Sequence, residues 1–201
     1  MKIIDRIRRN AGLKALNKGL RSTKRNKVVH NLETAHRIAV VGVVNSSKDF
    51  EDILILQKLL TSKSKDVEIL VYHPGKETPQ QLLLRKGITI FNRNEINWYG
   101  KPTNAFAEKF CRIEYDILID LSLSEIFSIR WISTLSRANF KVGSLNYEGN
   151  PFELIINVDS RKEIAYLSEQ IIHYLNLLNN RSAQVEDYYS NHEVLNNHEI
   201  H

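Results

Sequence analysis

Polar residues stand directly after short apolar runs at four places in this 201-residue chain, and besides Asn92 to Asn94, after the run at 88–91, the other three supply seven candidates. Asn45, Ser46 and Ser47 follow the run at 38–44, His73 follows that at 67–72, and Asp120, Ser122 and Ser124 close the one at 117–121. In open parallel sheets ligands collect beyond the carboxyl ends of the strands, so these seven residues are the candidate pocket. Ser46 and Ser47 can present hydroxyls and helix-terminal amides to a phosphate, or simply cap the helix that follows. Asp120 is the most pointed of the set, because a carboxylate ending an apolar strand needs water, a partner or a ligand. Its plain alternative is a structural bond to a neighbouring loop or helix end.

Named reactions find few of their parts here. Neither G-x-G-x-x-G nor G-x-x-x-x-G-K-[ST] is present, since Gly42 stands alone inside its run. A phosphoryl-accepting aspartate of the haloacid dehalogenase type wants a second acid two residues on, where this chain has Ser122; a receiver wants paired acids where it has Asn45 and Ser46. No G-x-S-x-G elbow accompanies His73, so no triad is assembled. Trp98, Tyr99 and Phe106 offer either a stacking surface for a base or an anchor for their loop. Cys111 is the single cysteine, which leaves out a disulfide or a cysteine-based zinc site. His192, His198 and His201 lie in a tail without fixed geometry, so neither a metal nor a cofactor is expected.

The strongest signal is charge. Residues 1–37 carry eleven Lys or Arg against Asp5 and Glu33, a net of +9, whereas the rest of the chain sums to −4. Arg6, Arg8, Arg9, Lys14, Lys18, Arg21, Lys24, Arg25 and Lys27 are therefore the candidate polyanion-binding residues. RNA or a ribonucleoprotein is the favoured partner. An anionic membrane surface is the rival, because Ile3, Ile4 and Ile7 share a helical face flanked by arginines. A third reading has the arm folding onto the acidic body or joining subunits in self-association. No apolar stretch is long enough to span a bilayer, and charges interrupt the place of a secretory core, so a cytoplasmic protein is expected.

The elements that position these residues follow from periodicity. A basic helix, bent or broken at Gly12, and a linker occupy 1–36; an α/β domain spans 37–179; an Asn-, His- and acid-rich tail at 180–201 is expected to be disordered. Within the domain, strands are expected at 38–44, 67–72, 88–91, 117–121, 140–142 and 154–158. Helices are expected between them, including a short one at 80–86, one entered through Ser122-Leu-Ser-Glu, and a last one capped by Asp159 or Ser160. Such alternation predicts a three-layer α/β sandwich with a mostly parallel sheet, Rossmann-like or flavodoxin-like, centred on residues 115–143.

The basic first helix, the strand ending Asp120-Leu-Ser and the return Phe140-Lys-Val-Gly143 together resemble an uncharacterised family of small bacterial α/β proteins. That resemblance implies the same fold over nearly the whole chain and brings no activity with it. Residues 115–143 are also similar to a βαβ segment of the heptosyltransferase-type glycosyltransferases, a likeness of module rather than of function. The leading expectation is a non-enzymatic or accessory docking protein. A nucleotide- or small-molecule-binding enzyme with its site at the strand ends is the alternative, and a peripheral membrane protein the third.

Overall fold

The computed structural model describes residues 2–80 and 85–178. Most of the short helix expected at 80–86 and all of the tail, with its histidines, lie outside the described residues. Helix α1 (Lys2–Ser22) comes first, followed by β1 (Arg37–Val43), α2 (Ser47–Ser62), β2 (Asp66–His73) and β3 (Ile88–Asn92). Then come α3 (Ala105–Arg112), β4 (Ile117–Asp120), α4 (Phe127–Leu135), β5 (Phe140–Gly143), β6 (Leu154–Ile155) and α5 (Ile164–Leu177). The strands form one six-stranded sheet in the order β3-β2-β1-β4-β5-β6. Every pairing is parallel. This is the Rossmann order rather than the flavodoxin one, with the direction of winding reversing between β1 and β4.

The strands are buried on both faces, which is why their sequences read as apolar runs without alternation. Ile38 and Val40 of β1 face a cluster built by Phe50, Ile53, Leu56 and Leu60 of α2 and Ile164, Leu167, Ile171 and Leu175 of α5. Ala39 and Val41, pointing the other way, meet Ala107 and Phe110 of α3 and Ile129 and Ile132 of α4. Outside α4 lies α1, which makes the second face one layer deeper than the first.

Helix α1 departs from expectation, because it runs unbroken through Gly12 and Gly19. Each glycine costs roughly 1 kcal/mol of helix propensity, yet both are contact points. A Cβ on Gly12 would stand 2.8 Å from Phe127 Cζ, and one on Gly19 would stand 3.1 Å from Leu135 Cδ1. Seven residues apart, the two share a helix face with buried Leu16. Glycine here is a notch for α4, and read as a helix breaker it gives the wrong boundary.

Three other boundaries shift for local reasons. Helix α4 begins at Phe127 rather than at Ser122-Leu-Ser-Glu, because the Ser122 N–H is taken by Asp120 and Glu125 is held by Arg130 at 2.6 Å. Helix α5 begins after Glu163 without a side-chain cap. Asp159 and Ser160 are used earlier, in a turn where Asn157 Oδ1 accepts the Asp159 N–H at 2.8 Å. Strand β6 ends at Ile155, short of the residue 158 expected.

Candidate functional site

At the carboxyl edge of β1 the amides point inward to their own helix. The N–H groups of Asn45 and Ser46 donate to Asp49 Oδ2 at 2.9 and 3.0 Å, and the Asp49 N–H donates to Ser46 Oγ at 3.2 Å. This is a capping box. The Asp49 carboxylate thus occupies the place an anion would take, with Ser47 exposed beside it. His73, at the end of β2, donates Nδ1–H to the Val44 carbonyl at 2.9 Å and ties the two strand ends together.

Asp120 is buried, at 3 % exposure. Ser133 Oγ–H of α4 donates to its Oδ2 at 2.6 Å and the Ser122 N–H to its Oδ1 at 2.9 Å. Burial pushes the carboxyl above its ordinary value, and these hydrogen bonds oppose that rise. Among the described residues no cation pairs with it. Ser122 is buried too, its carbonyl accepting from Ser144 Oγ at 2.8 Å, whereas Ser124 is exposed. The seven candidates therefore lie close together at one edge of the sheet, but hydrogen bonds within the protein use Ser46, His73, Asp120 and the Ser122 backbone.

Lys141 is a buried cation that reading the sequence alone passes over. It is 1 % exposed, and its Nζ donates to the carbonyls of Ser133 and Thr134 at 2.7 and 3.2 Å, the last turn of α4. A lysine there complements the negative end of the helix dipole. Burial, then the Arg25 guanidinium, pull its amine down to about 7, against the opposing pull of Glu153. Its only signal in sequence is a lysine between Phe140 and Val142, which resembles the solvent-facing residue of a strand. Burial pushes the Cys111 thiol up to about 12, so it is no ready nucleophile.

Three hollows lie around α4 and α1. One of about 430 Å³ runs between α1, α3 and α4, floored by Trp131 and Leu135. One of about 660 Å³ lies between the linker cations Lys24, Arg25 and Lys27 and the loop 149–153, with Lys141 and Thr134 on its wall. The third, about 500 Å³, opens at the carboxyl edge of the sheet. Its walls include Tyr72, Pro74, Ile126 and Phe127 and, from the arm, Arg8 and Arg9. Tyr99 lines this hollow and leans on Trp131 at 6.5 Å, while Trp98, beside it in the loop before α3, and Phe106, on α3 itself, stand outward.

Of the nine arm cations, Arg6, Arg8, Arg9, Lys14, Lys18, Arg21, Lys24 and Lys27 are exposed. Arg25 is the exception: its Nη1 donates to the Ala138 carbonyl at 2.8 Å and its Nη2 pairs with Glu153, which also draws Lys27 to 3.4 Å. Among the described residues the six on α1 and Lys24 make no ion pair.

A family model described as a family of unknown function, DUF6913, matches residues 8–178, from inside α1 to just past the end of α5. The chain belongs to this family. No curated protein matches it. The DUF6913 match takes in the docked part of α1, the whole sheet and the buried Asp120 and Lys141, so helix and sheet belong to one unit of sequence. No helix among the described residues is long and apolar enough to cross a membrane.

Proposed function

We propose that this protein docks on RNA or a ribonucleoprotein through the outward face of α1, with the α/β body as the rigid support. The observation that carries the reading is the division of labour along α1. Gly12, Leu16 and Gly19 face α4, and Lys14, Lys18 and Arg21 fall on the far side, at the i, i+4, i+7 spacing of one ridge. That ridge covers about 10 Å along the axis. From Asp5 to Glu33 no carboxylate interrupts it. Cations held in a row on a packed helix lose little further freedom on meeting a phosphate backbone, and each contact releases counterions.

The exposed Ile3, Ile4 and Ile7, 70 %, 70 % and 55 % accessible, favour a second reading in which the tip of α1 enters a lipid interface. One experiment separates the two. Fluorescence anisotropy with single-stranded RNA across a salt series should give a log–log slope of about −3 for four phosphate contacts. Replacing Lys14, Lys18 and Arg21 by Gln should flatten that slope by about 2 units. Equal weak RNA binding by both proteins, together with flotation on anionic vesicles that is lost in Ile3→Ser/Ile7→Ser, would assign the arm to membranes instead. Deleting the arm is a poor test, because it would uncover Phe127, Trp131 and Leu135.

A further inference from the structure

The hollow at the carboxyl edge of the sheet has the chemistry of a ligand site, and it is independent of the outward ridge. In this strand order ligands collect where the winding reverses. On the α2 side of that edge Asp49 already fills the helix terminus. The opposite side is open. There the first half of α1 leans over the ends of β2 and β4 and encloses about 500 Å³, within the range of small-molecule sites.

Its polar wall is weighted toward cations. Arg8 and Arg9 reach it from α1, without ion-pair partners among the described residues, and Arg130 reaches it from α4. The field of Arg8 extends across the hollow to Tyr72, whose phenol is raised by burial and lowered by Arg93 and Arg8. Arg130 is committed through Nη1 to Glu125 at 2.6 Å and through Nη2 to the Glu148 carbonyl at 3.1 Å, while its buried Nε has no partner. Asp5 and Glu125 are the acids present, and Glu125 is neutralised by Arg130. Helix α4, whose N-terminus carries no side-chain cap, contributes Phe127 and Ser128 to the same wall. The remaining wall is largely apolar and includes Tyr72, Tyr99 and Phe127 with Leu13, Ile96 and Ile126.

We infer that this hollow binds a phosphorylated small molecule bearing a planar ring, of the nucleotide class, with Arg8 and Arg9 taking the phosphates and the aromatic wall taking the ring. Arginines offer the fork geometry phosphate accepts, and a ring against Tyr and Phe gains stacking contact. The binding mode differs from the dinucleotide fold's usual one, in which the helix after the first strand receives the phosphates.

Thermal-shift and calorimetric titration of the full chain with ADP, GDP, UDP and CDP, and with adenosine and pyrophosphate alone, tests the assignment. At least one nucleotide should raise Tm by several degrees at millimolar concentration, and more than either fragment does. Arg8→Ala/Arg9→Ala, at exposed residues, should fold normally and weaken that nucleotide tenfold or more. Ser46→Ala, and the Lys14, Lys18 and Arg21 replacements, should leave its affinity unchanged, which separates this site from RNA docking. No shift with any of the four nucleotides, undiminished binding in the double variant, or loss of binding in Ser46→Ala would each overturn it.

Discussion

The two faces of the sheet are built to different rules. The face covered by α2 and α5 buries aliphatic side chains with Phe50 and Phe140, and Ser168 is a buried polar residue of α5. The face covered by α3 and α4 buries Asp120, Ser128, Ser133, Thr134, Ser136 and Lys141, and the three hollows lie there. The cause is α1. By covering α4 from outside, it shuts off from water a helix that carries Ser128, Ser133 and Thr134; the first two hydroxyls find partners inside, while Thr134 Oγ1 has none. Ser133 serves Asp120, Ser128 Oγ donates to the Gly100 carbonyl at 2.9 Å, and Lys141 serves the end of α4. One face supplies stability by packing. The other holds groups whose energy depends on protonation and on what sits in the hollows.

The largest expected effect tests the packed face. Leu167→Ala removes a fully buried side chain between α5 and the sheet and should cost about 2–5 kcal/mol, at about 2–4 °C in Tm for each kcal/mol in a chain of this size. Leu16→Ala in α1 should fall at the low end of that range, because α4 is its main neighbour, and amide exchange should quicken in α1 before the sheet. If Leu16→Ala lowers Tm as far as Leu167→Ala and loosens every amide equally, α1 is as integral as α5 and the contrast between the faces fails.

The second effect is pH dependence confined to the polar face. With Lys141 lowered to about 7 from 10.5, the unfolded chain binds the extra proton between those values. Its contribution to stability therefore rises with pH through that window, by up to about 1.4 kcal/mol for each pH step of one across it. Asp120 has the opposite slope. Its folded value is raised above 3.8, so the folded chain holds the extra proton and stability falls as pH climbs from about 4 through that raised value. Denaturant titrations of Lys141→Met and Asp120→Asn against the wild type should show the alkaline rise missing in the first and the acid-side decline missing in the second. Difference curves that are flat with pH would mean that neither group is desolvated as its burial implies.

How much of this is legible in sequence divides along the same line. The six strands and the parallel order follow from apolar runs separated by helical periods, because strands buried on both faces leave that signature whatever covers them; the centre expected at residues 115–143 is half right, since β4 is a middle strand but its middle partner is β1, with β5 one place toward the edge. The covering layer is harder. Gly12 reads as a break, since a glycine's cost is local and its benefit, the approach of Phe127, comes from over a hundred residues away. Lys141 looks like a surface residue for the same reason: the α4 carbonyls that receive its Nζ come from another element. Arg8 and Arg9 count as arm charges in sequence, and only the docking of α1 brings them over the strand ends beside Tyr72.

The smallest expected effect bears most directly on where chemistry lies at the carboxyl edge. Ser46 can cap α2 or receive a phosphate, and the two uses compete for the same amides. With Asp49 Oδ2 accepting from both Asn45 and Ser46, and Ser46 Oγ accepting from Asp49, the first use is complete. Ser46→Ala should therefore lose about 1 kcal/mol, the usual cost of a cap, a Tm change of about 2–4 °C. Asp49→Ala should lose a similar amount, because it removes the other half of the box. Neither change should alter nucleotide or RNA affinity. If Ser46→Ala left Tm in place but weakened a nucleotide tenfold, the packed face would carry the site and the comparison of the two faces would invert.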